Sequence, residues 1–364
     1  MNERKVISEH FKPYVHSKNA YKGGRPAPKG LKSYKLSSNE NALGTSPKVK
    51  QIIHNSDNFN IYPDNTDEKL RIALSIHHDN ILHPDQFICG NSGSEVLEMA
   101  IRAFINEGDE VILSNPCFLP YHTFSTRAGA KIVDVPLHGD QYQLDVDGIV
   151  RAISNRTRII FLTSPNNPTG TIITSRQIDA LLSQTPSDVL IVYDEVYYQY
   201  SDSEEYKTAL TYVKKGHNIL AINSFSKAFG MASLRLGYGY TTPEIANYLR
   251  LFQRPFLINK LTVAAGLAAL SDKEFINITI KHNLNQREYL ESEFERLGIN
   301  YTPTQGNFHL IHSPIPTNEL VDTLYDQGVM VRDVGSFGAP GKVRITIGTD
   351  EGNRALVKAL EKIL

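Results

Sequence analysis

Cysteine is scarce in this chain. Cys89 and Cys117 are the only two in 364 residues, too few for a disulfide framework, and neither belongs to a Cys-x-x-Cys pair suited to zinc. Their apolar neighbours mark both as small packing residues. An excess of one charge is missing as well: 38 Lys and Arg against 39 Asp and Glu give a formal net charge of -1. That balance offers no electrostatic case for nucleic acid or an anionic membrane, so any attraction for phosphate has to be local. No apolar run approaches the length of a membrane span, and Met1-Asn2-Glu3-Arg4-Lys5 leads into mixed charged sequence without a signal core. The cytoplasm is the expected location. The 12 histidines, the adjacent His77 and His78 included, show no His-x-x-Glu-His or comparable spacing, so no metal is expected. No Gly-x-Gly-x-x-Gly turn follows a strand-like run, and Gly237-Tyr238-Gly239 is too short a match, which argues against hydride transfer. Internal repeats and low-complexity segments are also absent.

What is present is a regular alternation. Glu110 to Leu113, Lys131 to Val135, Arg158 to Leu162, Val189 to Tyr193 and Ile219 to Ile222 read as short strands separated by helical patterns. Such alternation predicts an α/β fold, a large domain over 37–250 with a mainly parallel sheet sandwiched by helices. After about residue 251, Leu261 to Leu270 and Phe275 to Leu297 read as helices, His309 to His312 as a strand, Asn318 to Gln327 as a helix and Val343 to Ile347 as a strand. This is a smaller α+β C-terminal domain, 251–364. Residues 1–36 contain Lys22-Gly23-Gly24-Arg25-Pro26-Ala27-Pro28-Lys29-Gly30, too rich in Gly and Pro for a regular element, and read as an extended arm.

The chemistry concentrates in Ser224-Phe225-Ser226-Lys227-Ala228-Phe229-Gly230, followed by Leu234-Arg235-Leu236-Gly237. A lysine that forms a Schiff base needs a desolvated setting that lowers its pKa, and a phosphorylated cofactor beside it needs hydroxyl donors and a cation. Taken alone, Lys227 reads as a solvated lysine in a Ser/Gly loop. Asp194 changes that balance: it closes the apolar run Val189 to Tyr193, where open α/β sheets hold their ligands, and its carboxylate can hold a proton on a pyridine nitrogen. Ser92 and Glu95 have capping-box spacing ahead of the helical face Val96, Met99, Ala100, Ala103 and Phe104. A helix starting there would direct the free amides of Gly93 and Ser94 at an anion, although a well-capped helix explains the pattern equally. Asn167 lies in a Pro-bracketed loop and would serve as a turn residue. Arg344 sits in a strand-like stretch where a charge requires a partner, either a bound ligand or an internal carboxylate.

Lys12-Pro13-Tyr14, Ser38-Asn39-Glu40-Asn41-Ala42-Leu43-Gly44, Ile61-Tyr62-Pro63-Asp64, Ser164-Pro165-Asn166-Asn167-Pro168-Thr169-Gly170, the lysine segment and Val343-Arg344-Ile345-Thr346-Ile347-Gly348-Thr349 occur in that order. Together they resemble the fold-type I pyridoxal-phosphate aminotransferases of class I/II, and within them the histidinol-phosphate aminotransferases. The resemblance implies that Lys227 binds pyridoxal 5'-phosphate and acts as the base at the substrate Cα, while Asp194 keeps the ring nitrogen protonated. Asn167 and Tyr197 would hydrogen-bond the phenolic oxygen, and Phe118 would stack on the ring where a Tyr is usual; stacking needs only a π face. The amides of Gly93 and Ser94 with Ser224, Ser226 and Arg235 would hold the phosphate, joined by Tyr62 from the partner of a homodimer. Substrate contacts would fall to Arg344 for a carboxylate, to Arg332 and Tyr14 for the phosphate of histidinol phosphate, and to Asn39. The amino donors and acceptors would be small amino and oxo acids, with histidinol phosphate and 2-oxoglutarate giving imidazole acetol phosphate and glutamate.

Two departures stand out. Ser94 replaces an acidic residue common in that subfamily, and Leu119-Pro120 replaces the usual small residue and Met. An aromatic amino-acid aminotransferase and a threonine-phosphate decarboxylase share the same scaffold and remain alternatives. A non-catalytic pyridoxal-phosphate-binding sensor domain is a further one, but no helix-turn-helix pattern precedes the large domain.

Overall fold

Along the strand Leu190–Asp194, successive side chains alternate between two apolar clusters, Leu190 and Val192 on one side and Ile191 and Tyr193 on the other. A strand buried on both faces belongs inside a sheet covered by helices twice over. The computed structural model, which describes residues 7–12, 14–15 and 25–364, has this architecture. Pro13, Lys22-Gly23-Gly24 and the Met1 to Lys5 start lie outside the described residues.

The strands in chain order are β1 (Tyr34–Lys35), β2 (Phe87–Gly90), β3 (Glu110–Leu113), β4 (Lys131–Asp134), β5 (Thr157–Thr163), β6 (Leu190–Asp194), β7 (Ile219–Ser224) and β8 (Gly237–Tyr240), then β9 (Tyr301–Thr302), β10 (Phe308–His312), β11 (Val329–Met330), β12 (Arg332–Asp333) and β13 (Lys342–Thr346). Seven of them form the large sheet in the order β2-β8-β7-β6-β5-β3-β4. Only β8 runs against its neighbours; the other pairings are parallel. The five strands read from the sequence are all present within a residue or two of their expected ends. β2 and β8 escaped that reading, because Phe-Ile-Cys-Gly and Gly-Tyr-Gly-Tyr lack a branched apolar run.

The small lobe is a four-stranded antiparallel sheet in the order β12-β13-β10-β9, covered by the helices Lys273–Arg296, Thr317–Asp326 and Asp350–Glu361. The segment expected to belong to the arm joins this lobe at its end: β1 pairs in parallel with β11, and Leu36 is buried in the lobe's core. Among the described residues no helix is long and apolar enough to cross a membrane, and no group of His, Cys, Asp and Glu is placed to hold a metal.

Parallel strands send their C-terminal ends to one edge, and the ends of β2, β3, β5, β6 and β7 all meet there. The helix Gly93–Phe104 begins beyond β2, and the antiparallel β8 starts beside it. The two are pressed together so closely that a Cβ on Gly237 would stand 2.0 Å from the backbone nitrogen of Gly93. Gly237→Ala should therefore push the start of this helix away, lowering stability by about 2–3 kcal/mol. A thermal melt of the protein would register the loss of stability.

Candidate active site

The edge of the sheet and the small lobe enclose a cavity of about 280 Å³. Lys227, Asp194, Tyr197, Gly93, Ser94, Phe118, Asn167, Ser224, Ser226, Arg235, Arg344 and Asn39 all line it. Three expected residues do not. Tyr62 is 78% exposed and stacks on Phe256 with ring centroids 4.7 Å apart. Tyr14 is half-buried beside Lys12, and Arg332 lies one strand beyond Arg344 at the edge of the small sheet.

Lys227 follows β7 by three residues, in a turn that closes when the N–H of Gly230 bonds the Lys227 carbonyl at 2.9 Å. Its Nζ donates to the Ser38 carbonyl at 3.3 Å and lies 5.4 Å from the centroid of the Tyr197 ring. Burial first, and then the positive charge of Arg344, pull its pKa down to about 8, against weaker opposition from Glu40 and Asp194. The amine thus loses its proton about two pH units sooner than an ordinary lysine.

Asp194 ends β6 at 6% exposure. The Tyr121 hydroxyl donates to Oδ2 at 2.6 Å, and the Val196 N–H donates to Oδ1 at 3.2 Å. Burial raises its pKa to about 6 although both bonds act the other way. Among the described residues the one charge that favours its ionised form is that of the more weakly acting Lys227, and a protonated ring nitrogen would supply a direct positive partner.

The phosphate end departs from the capping box. Ser92 makes no side-chain cap and has φ of 99°, while Glu95 accepts the N–H of Asn91 at 2.6 Å. The reason is steric: the approach of Gly237 forces a sharp entry into the helix, and the Ser92 side chain faces the cavity. The helix nevertheless begins at Gly93, so the first-turn amides remain available. Arg235, with φ of 53°, donates through Nη1 to the Ala232 carbonyl at 2.8 Å, and Ser224 Oγ accepts the N–H of Ser226 at 3.1 Å.

Arg344 enters from β13. Its Nη1 donates to Asn167 Oδ1 at 2.6 Å and its Nη2 to the Ser37 carbonyl at 2.8 Å, so the partners shown are an amide and a backbone carbonyl. Asn39 is less a wall than a brace. Its Nδ2 donates to the Tyr197 hydroxyl at 3.0 Å, and its Oδ1 accepts from Thr346 Oγ1 at 3.1 Å. Sequence reasoning missed Tyr121, Thr163, Ser38 and Glu40, which also border the cavity. Tyr121 had a signal: it follows Phe118 by three residues at the start of the helix Leu119–Arg127, on the same face.

Similarity to known proteins matches this geometry. Residues 32–360 match the family described as aminotransferase class I and II. The chain belongs to that family. It is 37% identical to the histidinol-phosphate aminotransferase of Moorella thermoacetica over 97% of this chain and 91% of that one. It is 36% identical to that of Symbiobacterium thermophilum over 100% and 99%. Its fold matches the histidinol-phosphate aminotransferase of Sinorhizobium meliloti in complex with pyridoxal-5'-phosphate, with a TM-score of 0.86 and 22% identity over 97% and 98%. An aspartate aminotransferase double mutant of Thermus thermophilus gives 0.80 at 25% identity, over 92% of each chain.

The chain is therefore a pyridoxal-phosphate-dependent aminotransferase, and its residues fit the cofactor. One cavity combines a partly deprotonated amine for an aldehyde, a buried carboxylate for a ring nitrogen, and amides, hydroxyls and a guanidinium for a phosphate. Tyr121→Phe in this aminotransferase removes the hydroxyl that holds Asp194, at a cost of about 1–2 kcal/mol. The Asp194 carboxyl should then titrate above about 6 in the ligand-free protein, as NMR of its side-chain carbon would show.

Proposed function

We propose that the enzyme transfers the amino group of histidinol phosphate to 2-oxoglutarate, giving imidazole acetol phosphate and glutamate. The observation that carries the chemistry is the buried Lys227 amine sharing one cavity with Asp194 and Arg344. The substrate assignment is supported by relatives of that activity spanning nearly the full chain.

When bound, pyridoxal phosphate carries the amino group and accepts the electrons released at the substrate Cα. Lys227 holds the cofactor in the resting enzyme and, once displaced by the substrate amine, takes the proton from Cα and returns it. Asp194 keeps the ring nitrogen protonated, and the Tyr121 hydroxyl orients its carboxylate. Asn167 commits Oδ1 to Arg344, which leaves its Nδ2 as the donor toward the phenolic oxygen, alongside the Tyr197 hydroxyl held by Asn39. Phe118 covers the ring face. Gly93, Ser94, Ser224, Ser226 and Arg235 bind the cofactor phosphate; Arg344 binds the substrate anion, with Arg332 and Tyr14 at its phosphate.

Tyr62 completes the phosphate site of a second copy in a homodimer. Its side chain stands beside the exposed Phe59 and Ile61, an apolar surface that a two-fold partner would cover. The cytoplasm is the compartment we assign.

Separate additions of histidinol phosphate, phenylalanine and threonine phosphate to the cofactor-loaded enzyme, followed by visible absorption, test the donor. Conversion to the pyridoxamine form should be fastest with histidinol phosphate; preference for phenylalanine, or carbon dioxide release from threonine phosphate, would overturn the assignment. Lys227→Ala should abolish steady turnover. Asp194→Ala should lower kcat by about a hundredfold or more while cofactor remains bindable by equilibrium dialysis.

A further inference from the structure

Arg332 and Arg344 are direct register partners on the antiparallel strands β12 and β13. Side chains so paired share one face of the sheet, where two like charges repel. The ring of Phe337 reaches both of them: the guanidinium carbon of Arg332 lies 5.7 Å from its centroid and that of Arg344 5.8 Å. An aromatic face attracts a cation without claiming the planar N–H donors that a carboxylate or phosphate would use. Phe337 is itself held firmly. It is 2% exposed, ends the short turn Gly335–Phe337, and its carbonyl accepts the N–H of Cys117 at 3.1 Å, one residue before Phe118. The ring therefore lines the cavity from the small lobe while its backbone is tied to the large one.

We propose that Phe337 is the positioning residue that sets which anions the substrate site accepts. It holds Arg332 one strand beyond Arg344, which Asn167, the Ser37 carbonyl and the Phe308 ring already fix at the cavity wall, so that one pocket serves anions at two depths. An amino acid carries its carboxylate directly on Cα and meets Arg344. In an amino-alcohol phosphate ester the phosphorus stands two bonds further from Cα than that carboxylate carbon, within the span of both guanidiniums. The donor-specific part of this inference rests on histidinol phosphate being the donor.

The test uses the cofactor-loaded enzyme, with the visible absorption of the bound cofactor as the readout for titration with inorganic phosphate and with 3-phenylpropionate, a monocarboxylate. KM and kcat for histidinol phosphate and phenylalanine complete the comparison. Phe337→Leu should raise the phosphate Kd and the histidinol phosphate KM at least about tenfold, with the 3-phenylpropionate Kd and both kcat values within about threefold. Phe337→Tyr should restore phosphate binding. In an Arg332→Gln background, Phe337→Leu should add less than about threefold to the phosphate Kd. Equal weakening of both anions, no weakening of either, or a fall in kcat at unchanged KM would overturn the proposal. Should Phe337→Leu not fold, Phe337→Met puts the same question. If the unsubstituted enzyme prefers phenylalanine, the donor assignment fails, while the two anion titrations still decide the role of Phe337.

Discussion

A lysine amine kept largely desolvated at the meeting of two lobes is the constraint on which the site depends. Lys227 donates to the Ser38 carbonyl, which comes from the segment linking the small lobe to the large one. That segment must hold its course, and several contacts make it do so. The Asn39 N–H bonds Thr346 Oγ1 at 2.8 Å, the Asn39 carbonyl accepts from Asn307 Nδ2 at 3.1 Å, and Arg344 holds the Ser37 carbonyl. Asn39 adopts φ of 55°, a left-handed conformation that Asn tolerates better than most residues. On the other side, the turn after Lys227 approaches so closely that a Cβ on Gly230 would stand 2.0 Å from the Gly44 carbonyl. Lowering the amine's pKa and closing the lobes are thus one structural act: the contacts that exclude water from Lys227 are those that dock the lobes.

The consecutive acids at the end of β6 show how a sheet divides labour. Asp194 faces the cavity, while Glu195, fully buried, turns to the opposite side. Glu195 accepts from the Ala209 N–H at 2.9 Å, from Asn223 Nδ2 at 3.0 Å, and from the Tyr240 hydroxyl. It therefore ties the end of β6 to β7, to β8 and to the chain before the Leu210–Lys214 helix. Burial raises its pKa to about 7 despite these bonds. The same tie holds in place Asn223, next to Ser224 at the cavity, so a carboxylate with no view of the substrate helps define where the phosphate donors stand.

Much of this was legible in the residues. Strands such as Ile219 to Ile222 announce themselves by branched apolar runs, and the motif around Lys227 carries its own chemistry. Twelve of the fifteen site residues named from the sequence border one cavity. What was not legible arises from contacts between distant segments. Gly237-Tyr238-Gly239-Tyr240 carries no strand signal because its glycines answer to the helix start and the neighbouring strand pressed against them. Ser92 has the right spacing for a cap but is diverted by that same approach. Asn39 lines the cavity as expected, but that its amide also bridges Tyr197 and Thr346 across the lobe boundary could not be read from the sequence. Tyr62 cannot be placed at the site within one chain at all, since its ring points to the protein's own exterior.

The charge balance gives the final step. With a formal net charge of -1, the protein as a whole has little field to draw anions in from afar. Yet Lys227, Arg235 and Arg344 outnumber Asp194 and Glu40 among the charged residues lining the cavity. The attraction is therefore short-ranged, and it acts where burial shields it from the screening that salt imposes on exposed charges. A Lys227 amine whose pKa is lowered to about 8 sharpens this economy, because it gives up its proton more readily than an ordinary lysine. Loss of that proton removes one positive charge where nucleophilicity is needed and leaves the Arg235 and Arg344 guanidiniums to hold the anions. The cavity thus divides its basic groups by side-chain type, one amine for the reaction and two guanidiniums for the anions.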